Sequence, residues 1–174
     1  MAEQAAIDLA LLVLRVGIGI VFVAHGYNHF FGGGRLSGTA RWFESLGMRP
    51  GRLHAWVASL AELGGGILLI VGFLTPLAAA AVVGTMSVAL VTNHRKNGFF
   101  IFRPGEGYEY VLTLVLMGLA ISGLGAGAWS VDGLLNLFQP PGWWGLGIAV
   151  VGGLGGGAAL LALFWRPVKQ PAAG

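Results

Sequence analysis

Five long apolar stretches run through this chain, each long enough to cross a lipid bilayer. A hydrocarbon core takes about 20 consecutive apolar residues of helix, within roughly 17–25. The stretches cover residues 9–31, 53–74, 76–92, 110 to about 128, and 143–165. Arg15 and two histidines interrupt the first and Glu62 the second, while the other three carry no charge. The runs are continuous and do not alternate, which favours helices over barrel strands. A water-soluble globule is excluded, because charged residues make up only 10% of the chain against about 25% in soluble domains. Collagen-like and disordered classes fail too: the 31 glycines have no three-residue period and the chain is strongly apolar. The expected fold class is all-α, a polytopic transmembrane helix bundle.

Loop chemistry marks the boundaries. Thr75 reads as an N-cap with Pro76 at the first helical position, so the second and third stretches form a short antiparallel hairpin. Pro140 and Pro141 separate the last stretch, whose ends carry Trp143, Trp144 and Trp165 as an interfacial aromatic belt does. The expected division is residues 1–139 as a four-helix bundle and 140–174 as an added transmembrane helix and tail. Between the first two stretches, Leu36, Ala40, Phe43 and Leu46 recur at helical spacing with Arg41 and Glu44 interleaved. That predicts a short interfacial helix near residues 36–47. The first stretch is not read as a cleaved signal, since Glu3 and Asp8 stand where a basic segment belongs.

Lysine and arginine set the orientation. Arg35, Arg41, Arg49 and Arg52, then Arg95, Lys96 and Arg103, then Arg166 and Lys169 all fall on one side of a five-span chain. Nine of the ten bases are thereby accounted for, and the tenth, Arg15, lies inside the first span. By the positive-inside rule the basic side is cytoplasmic, with the N-terminus outside and the C-terminus inside. The net charge of +3 is therefore a topology signal. Nucleic acid is excluded as a partner, because no basic run is interleaved with aromatics on an exposed fold.

Ionisable side chains inside a bilayer are costly and mark functional candidates. His25 is six residues from the cytoplasmic end of its span and Glu62 is nine residues into the next. Their depths differ by about 4–5 Å, so a His25–Glu62 contact is expected. Such a pair can hold a quinone carbonyl and pass protons. The plain alternative is an internal bond locking two helices. Arg15, Ile18, Phe22, His25 and His29 form one stripe at 3–4 spacing. Arg15 is expected to snorkel outward or to pair with Asp132 or Glu62. Histidines from several helices are also the residue type that ligates haem b or a divalent metal. His54 and His94, however, are read as surface histidines near headgroups, and no metal site is assigned. The loop at residues 93–110, with Phe99, Phe100 and Phe102, is expected to form a lid over the His25–Glu62 region. Asp132 is expected to cap a helix or anchor a loop. Gly152 with Gly156, and Gly153 with Gly157, form overlapping GxxxG pairs, which read as packing faces or as a homo-oligomer contact. The absence of cysteine removes thiolate nucleophiles, disulfide relays and Cys-ligated clusters from this chain.

The segments LRVGIGIVFVAHGYNHFFGGG, AELGGGILLIVGFLTPLAAAA, NHRKNGFFIFRPGEGYEYVLTL and GLGAGAWSVDGLL, in this order and spacing, resemble the DoxX family of small membrane proteins. The resemblance covers about residues 9–135. It implies a four-helix membrane bundle, here extended by a fifth helix. It also implies a place near redox chemistry, since some relatives are subunits of quinone-linked sulfur-oxidising enzymes and others accompany complexes that handle oxidative or thiol stress. Arg15, His25, Gly26, Glu62, Gly65, Asn97, Gly98, Phe99, Glu109 and Asp132 match the family pattern. His29 stands where relatives often carry Lys. The resemblance implies His25 and Glu62 as catalytic candidates, and Arg15, His25, Glu62, Phe99 and Glu109 as cofactor-binding candidates. The expected role is an accessory subunit of a membrane redox complex that binds quinone or another lipophilic ligand between its helices. The alternatives are a scaffold that recruits a partner complex through the fifth helix and the basic loops, and a small transporter or proton path. A reporter active only outside the membrane, fused at Gly174, is expected to stay silent, and an active fusion overturns the topology.

Overall fold

The structure is a computed structural model that describes residues 2–138 and 142–167. Seven helices make up the described residues: α1 (Ala2–Phe31), α2 (Arg35–Ser45), α3 (Gly51–Val71), α4 (Thr75–Asn97), α5 (Glu109–Leu124), the short α6 (Val131–Leu134) and α7 (Gly142–Phe164). The all-α helical bundle expected from the sequence is observed. Helices α1, α3, α4 and α7 are long and apolar enough to cross a membrane, whereas α5 has 16 residues. The expected fourth span, residues 110 to about 128, is thus shortened. Gly125 and Gly127 take φ of +87° and +77°, a left-handed conformation that glycine adopts without steric cost and that ends a helix. The third stretch is instead extended. Helix α4 runs on through Asn93 and His94, with one π-helical turn over Leu90–His94, because no helix breaker occurs before Gly98.

Lipid gives apolar faces no reason to cluster, so close packing depends on small residues. A Cβ on Gly26 would lie 2.7 Å from the Leu63 nitrogen, and one on Gly66 would lie 2.8 Å from the Gly19 carbonyl oxygen. Helices α1 and α3 therefore meet backbone to backbone. Helix α7 does the same against α4: a Cβ on Gly153 would lie 2.8 Å from Val83, and one on Gly157 would lie 3.3 Å from the Gly84 carbonyl oxygen. The Gly153/Gly157 pair is thus spent inside the chain, while Gly152 and Gly156 are exposed. The core between these seams gathers Ile18, Phe22, Leu69, Val82, Val83, Val111 and Ile121. The expected boundary at residue 139/140, with Pro140 and Pro141, lies outside the described residues, as does Lys169. Helix α7 itself packs on α4 and α5 as part of the bundle.

The α3–α4 turn is held from both sides by charged side chains. Arg15 is 1% exposed, and its guanidinium donates to the carbonyls of Leu69 at 3.0 Å and Ala126 at 3.2 Å, and also to those of Ile70 and Trp129. Leu69 and Ile70 end α3, where carbonyls have no intrahelical partner. The expected pairing of Arg15 with Asp132 or Glu62 is replaced by this carbonyl cage. Asp132 instead accepts from the backbone nitrogens of Leu74 and Thr75, both at 2.8 Å, and so caps the start of α4 from a distant loop. Thr75 is thus the first residue of the helix and not its N-cap, since Asp132 already takes that role. The Ala128 nitrogen donates to Asp8 at 2.9 Å, which ties the same loop to α1.

At the opposite end lie the last turn of α1, the starts of α3 and α5, and the last turns of α4 and α7. Helix α2 covers this end, with Leu36, Ala40 and Phe43 turned to the bundle and Arg41 and Glu44 exposed. The short helix expected near residues 36–47 is therefore present. The end of α7 is fastened here too. Trp165 Nε1 donates to the Leu46 carbonyl at 2.9 Å, and the Arg166 nitrogen donates to the Gly47 carbonyl at 2.8 Å. Arg35, Arg41, Arg49, Arg52, Arg95, Lys96, Arg103 and Arg166 all belong to loops and helix ends on this side.

Replacing Asp132 by Ala removes two caps from α4. It is expected to lower the stability of the detergent-solubilised protein by about 1–3 kcal/mol, read by thermal unfolding. An unchanged melting curve overturns the capping role.

Candidate functional site

A cavity of about 600 Å³ lies between α1, α3, α4 and α7, and most of its polar groups sit in the half of the bundle that carries the bases. Its walls are mostly apolar, and its polar groups come from Trp42, Thr85 and a cluster of His25, His29, His54, Glu62, Thr92, Asn93, His94, Glu106 and Tyr110. That size and that mixture suit a small-molecule site. All four histidines of the chain line it.

Glu62 is 5% exposed and faces His29, with Oε2 3.3 Å from His29 Nδ1. The expected partner, His25, sits one turn earlier in α1. It is exposed at the cavity rim, where it stacks on Tyr110 with ring centroids 6.4 Å apart. The difference comes from the lean of helical side chains toward their own N-terminus. In antiparallel α1 and α3 the two side chains lean toward each other's level, so His29 reaches Glu62 although its Cα lies nearer the basic end of the bundle. Counting residues from the span ends compares Cα levels only and selects His25.

His54 and His94 are buried, 3% and 6% exposed. The expectation of surface histidines is corrected for both. His54 is covered by Phe43 of α2 and Phe164 of α7, with ring centroids 6.3 Å and 5.2 Å away. His94 is covered by the loop after α4, where its Nδ1 lies 3.0 Å from the Glu106 carbonyl oxygen. Asn97 secures that loop by donating to the carbonyls of Asn93 at 3.1 Å and Glu106 at 3.0 Å. The loop expected as a lid therefore reaches the cavity through Glu106, and not through Phe99 or Glu109. Phe99 is 46% exposed and packs edge-on against Phe100 and Tyr108. Glu109 accepts from the Ile101 nitrogen at 2.9 Å and so shapes the loop. Arg15 lies at the far end of the bundle in its carbonyl cage. Of the cofactor-binding candidates, His25 and Glu62 line the cavity, and Arg15, Phe99 and Glu109 do not.

Among the described residues, four buried side-chain polar atoms lack a hydrogen bond, and three belong to cavity residues: His29 Nδ1, His54 Nε2 and Glu62 Oε2. His29 and Glu62 are close but out of line for a hydrogen bond. Buried polar atoms are normally satisfied; here His29 Nδ1 and Glu62 Oε2 have each other at 3.3 Å, and His54 Nε2 has no partner. No three His, Asp or Glu side chains among the described residues converge as a metal site.

The DoxX family profile matches residues 10–95. "Putative oxidoreductase CatD" of Bacillus subtilis is 31% identical over 116 residues, covering 67% of this chain and 81% of that protein. "Inner membrane protein YqjF" of Escherichia coli is 30% identical over 132 residues, covering 74% of this chain and 94% of its own length. This chain belongs to the DoxX family. "Inner membrane protein YphA" of Escherichia coli is a further relative, 31% identical over 91 residues, 52% of this chain and 63% of its own. No solved structure matches. The DoxX-matched segment contains all four cavity histidines and Glu62, while Glu106, Tyr110 and α7 complete the cavity from outside it.

A double-mutant cycle for stability between His29 and Glu62 is expected to show coupling of about 0.5–3 kcal/mol, and one between His25 and Glu62 to be additive within about 0.5 kcal/mol. The reverse result overturns the observed pairing.

Proposed function

We propose that this DoxX protein is an accessory subunit of a membrane redox complex, and that it binds a quinone or a similar lipophilic ligand in the cavity between its helices. The observation that carries the reading is the apolar cavity of about 600 Å³ with the unpartnered His54 Nε2 and the His29–Glu62 pair in its wall. A quinone head presents hydrogen-bond acceptors to the imidazoles, and its reduced form presents hydroxyls to the Glu62 carboxylate. An imidazole can give or take a proton at its ring nitrogens and a carboxylate can accept one, so the same groups are suited to moving protons at the ring oxygens. The chain has no cysteine and carries no redox centre of its own on this reading, so electrons come from a partner subunit. The name of the Bacillus relative, which includes oxidoreductase, agrees with this role.

The protein is placed in the inner membrane, in keeping with the names of the two Escherichia coli relatives. The cavity end faces the cytoplasm, because the basic residues collect there and cytoplasmic loops carry the excess of Lys and Arg. The N-terminus then lies outside.

Glu62→Gln is expected to reduce co-purifying quinone about tenfold or more, the effect of losing a ligand hydrogen bond worth about 1–3 kcal/mol. The measurement is quinone content of the gently solubilised protein by mass spectrometry, with thermal unfolding to show that the fold persists. Wild-type protein free of quinone, or a variant with undiminished content, overturns the quinone assignment.

A further inference from the structure

The cavity is not a closed chamber. Its lining follows α4 from Leu77, near one end of that helix, to His94, near the other, a span of about 25 Å along the axis. Helices α3 and α7 pack on opposite flanks of α4 without forming a seam with each other. The floor between them is made of small residues, Ala80, Ala81, Gly84 and Thr85, and the α7 wall includes Gly152 and Gly156. Val57 and Leu77, 45% and 50% exposed, stand at the mouth together with the exposed Gly152 and Gly156. This side of the bundle faces lipid, so the mouth opens into the hydrocarbon layer. The polar end is capped by α2, the Met48 region and the Trp165 clasp.

One slot thus joins an apolar, lipid-facing half to a polar half that contains His54, more than nine-tenths buried with Nε2 unpartnered, and the buried Glu62 beside His29. Among the described residues, no Lys or Arg lines it. A phosphate head would meet a buried carboxylate with no fixed cation to hold it. The narrow floor between two helices suits one chain and not two.

We propose that the slot is a sideways-open groove for a single-chain amphiphile with an uncharged, hydrogen-bonding head, drawn directly from the bilayer. The tail lies along the small-residue face of α4, and the head lies among His29, His54 and Glu62. Helix α7, which lies beyond the family-matched segment, is then a wall of the ligand site. This rests on the cavity being a ligand site and adds the tail subsite and the route of entry.

The experiment uses the full chain in nanodiscs. A Cβ at Gly156 meets nothing within 4 Å, and one at Gly152 meets only Ala80 at 3.6 Å. Gly156→Phe and Gly152→Leu therefore fill the groove while leaving the packing of Gly153 and Gly157 intact. Gly147→Phe, also with nothing within 4 Å and outside the groove, is the control. The probes are a long-chain isoprenoid quinone, a ring-only dimethoxybenzoquinone and monoolein. Binding of the tailed probes is expected to fall tenfold or more in both groove variants and to be unchanged in the control. Binding of the ring-only quinone is expected to be the same in all. Wild-type affinity for the tailed probes in both groove variants overturns the groove, and so does failure of both tailed probes to bind the wild type. Loss of quinone in Glu62→Gln alone leaves the head site standing and removes the groove. Monoolein binding that is lost in the groove variants, with no quinone bound by the wild type, sustains the groove and removes the quinone reading.

Discussion

Everything in this bundle hangs on how the α3–α4 turn satisfies its backbone. Carbonyls at the end of a helix and amides at the start of the next have no partners of their own, and lipid offers none. The chain supplies them from far away in sequence. Arg15 of α1 cages the carbonyls that end α3, and Asp132, beyond α5, takes the amides that open α4. Each charge also complements the partial charge of the helix end it meets. Two ionised side chains that would be costly in a membrane thereby become the fastening that sets α1, α3, α4 and the loop after α5 in one arrangement. The register of α1 against α3 follows, and with it the meeting of His29 and Glu62.

The ionisable groups are consequently divided by depth. At one end every polar atom of Arg15 and Asp132 is engaged by backbone, leaving nothing for a ligand. At the other end the imidazoles and Glu62 are buried with atoms still unsatisfied. The same rarity of charge that makes the chain a membrane protein thus serves two purposes, assembly at one end and recognition at the other.

Much of this could be read from the residues. The apolar stretches predicted the long helices, the Leu36, Ala40 and Phe43 spacing predicted α2, and the position of Asp132 predicted a cap. The basic loops foretold which helix ends share a side. What escaped was whatever depends on side-chain direction and on coverage from remote segments. The partner of Glu62 is set by the lean of side chains in antiparallel helices, which residue counting ignores. His54 looked superficial because it opens α3, but Phe43 and Phe164 arrive from α2 and α7 to bury it. The end of α5 was misjudged because Gly125 and Gly127 are apolar by composition and yet break a helix by conformation. The glycines of α7 marked a close contact correctly, but only the structure shows that α4 takes it.

The clasp between the end of α7 and the loop before α3 has a mechanical consequence. Trp165 and Arg166 bind Leu46 and Gly47 through main-chain and indole hydrogen bonds, which fixes the two walls to each other at the basic end. Toward the other end nothing comparable joins them among the described residues. Two rods pinned at one end separate by pivoting, and the separation grows with distance from the pin. The compliance of the bundle is therefore greatest where its walls are apolar and least where its polar groups must hold their positions.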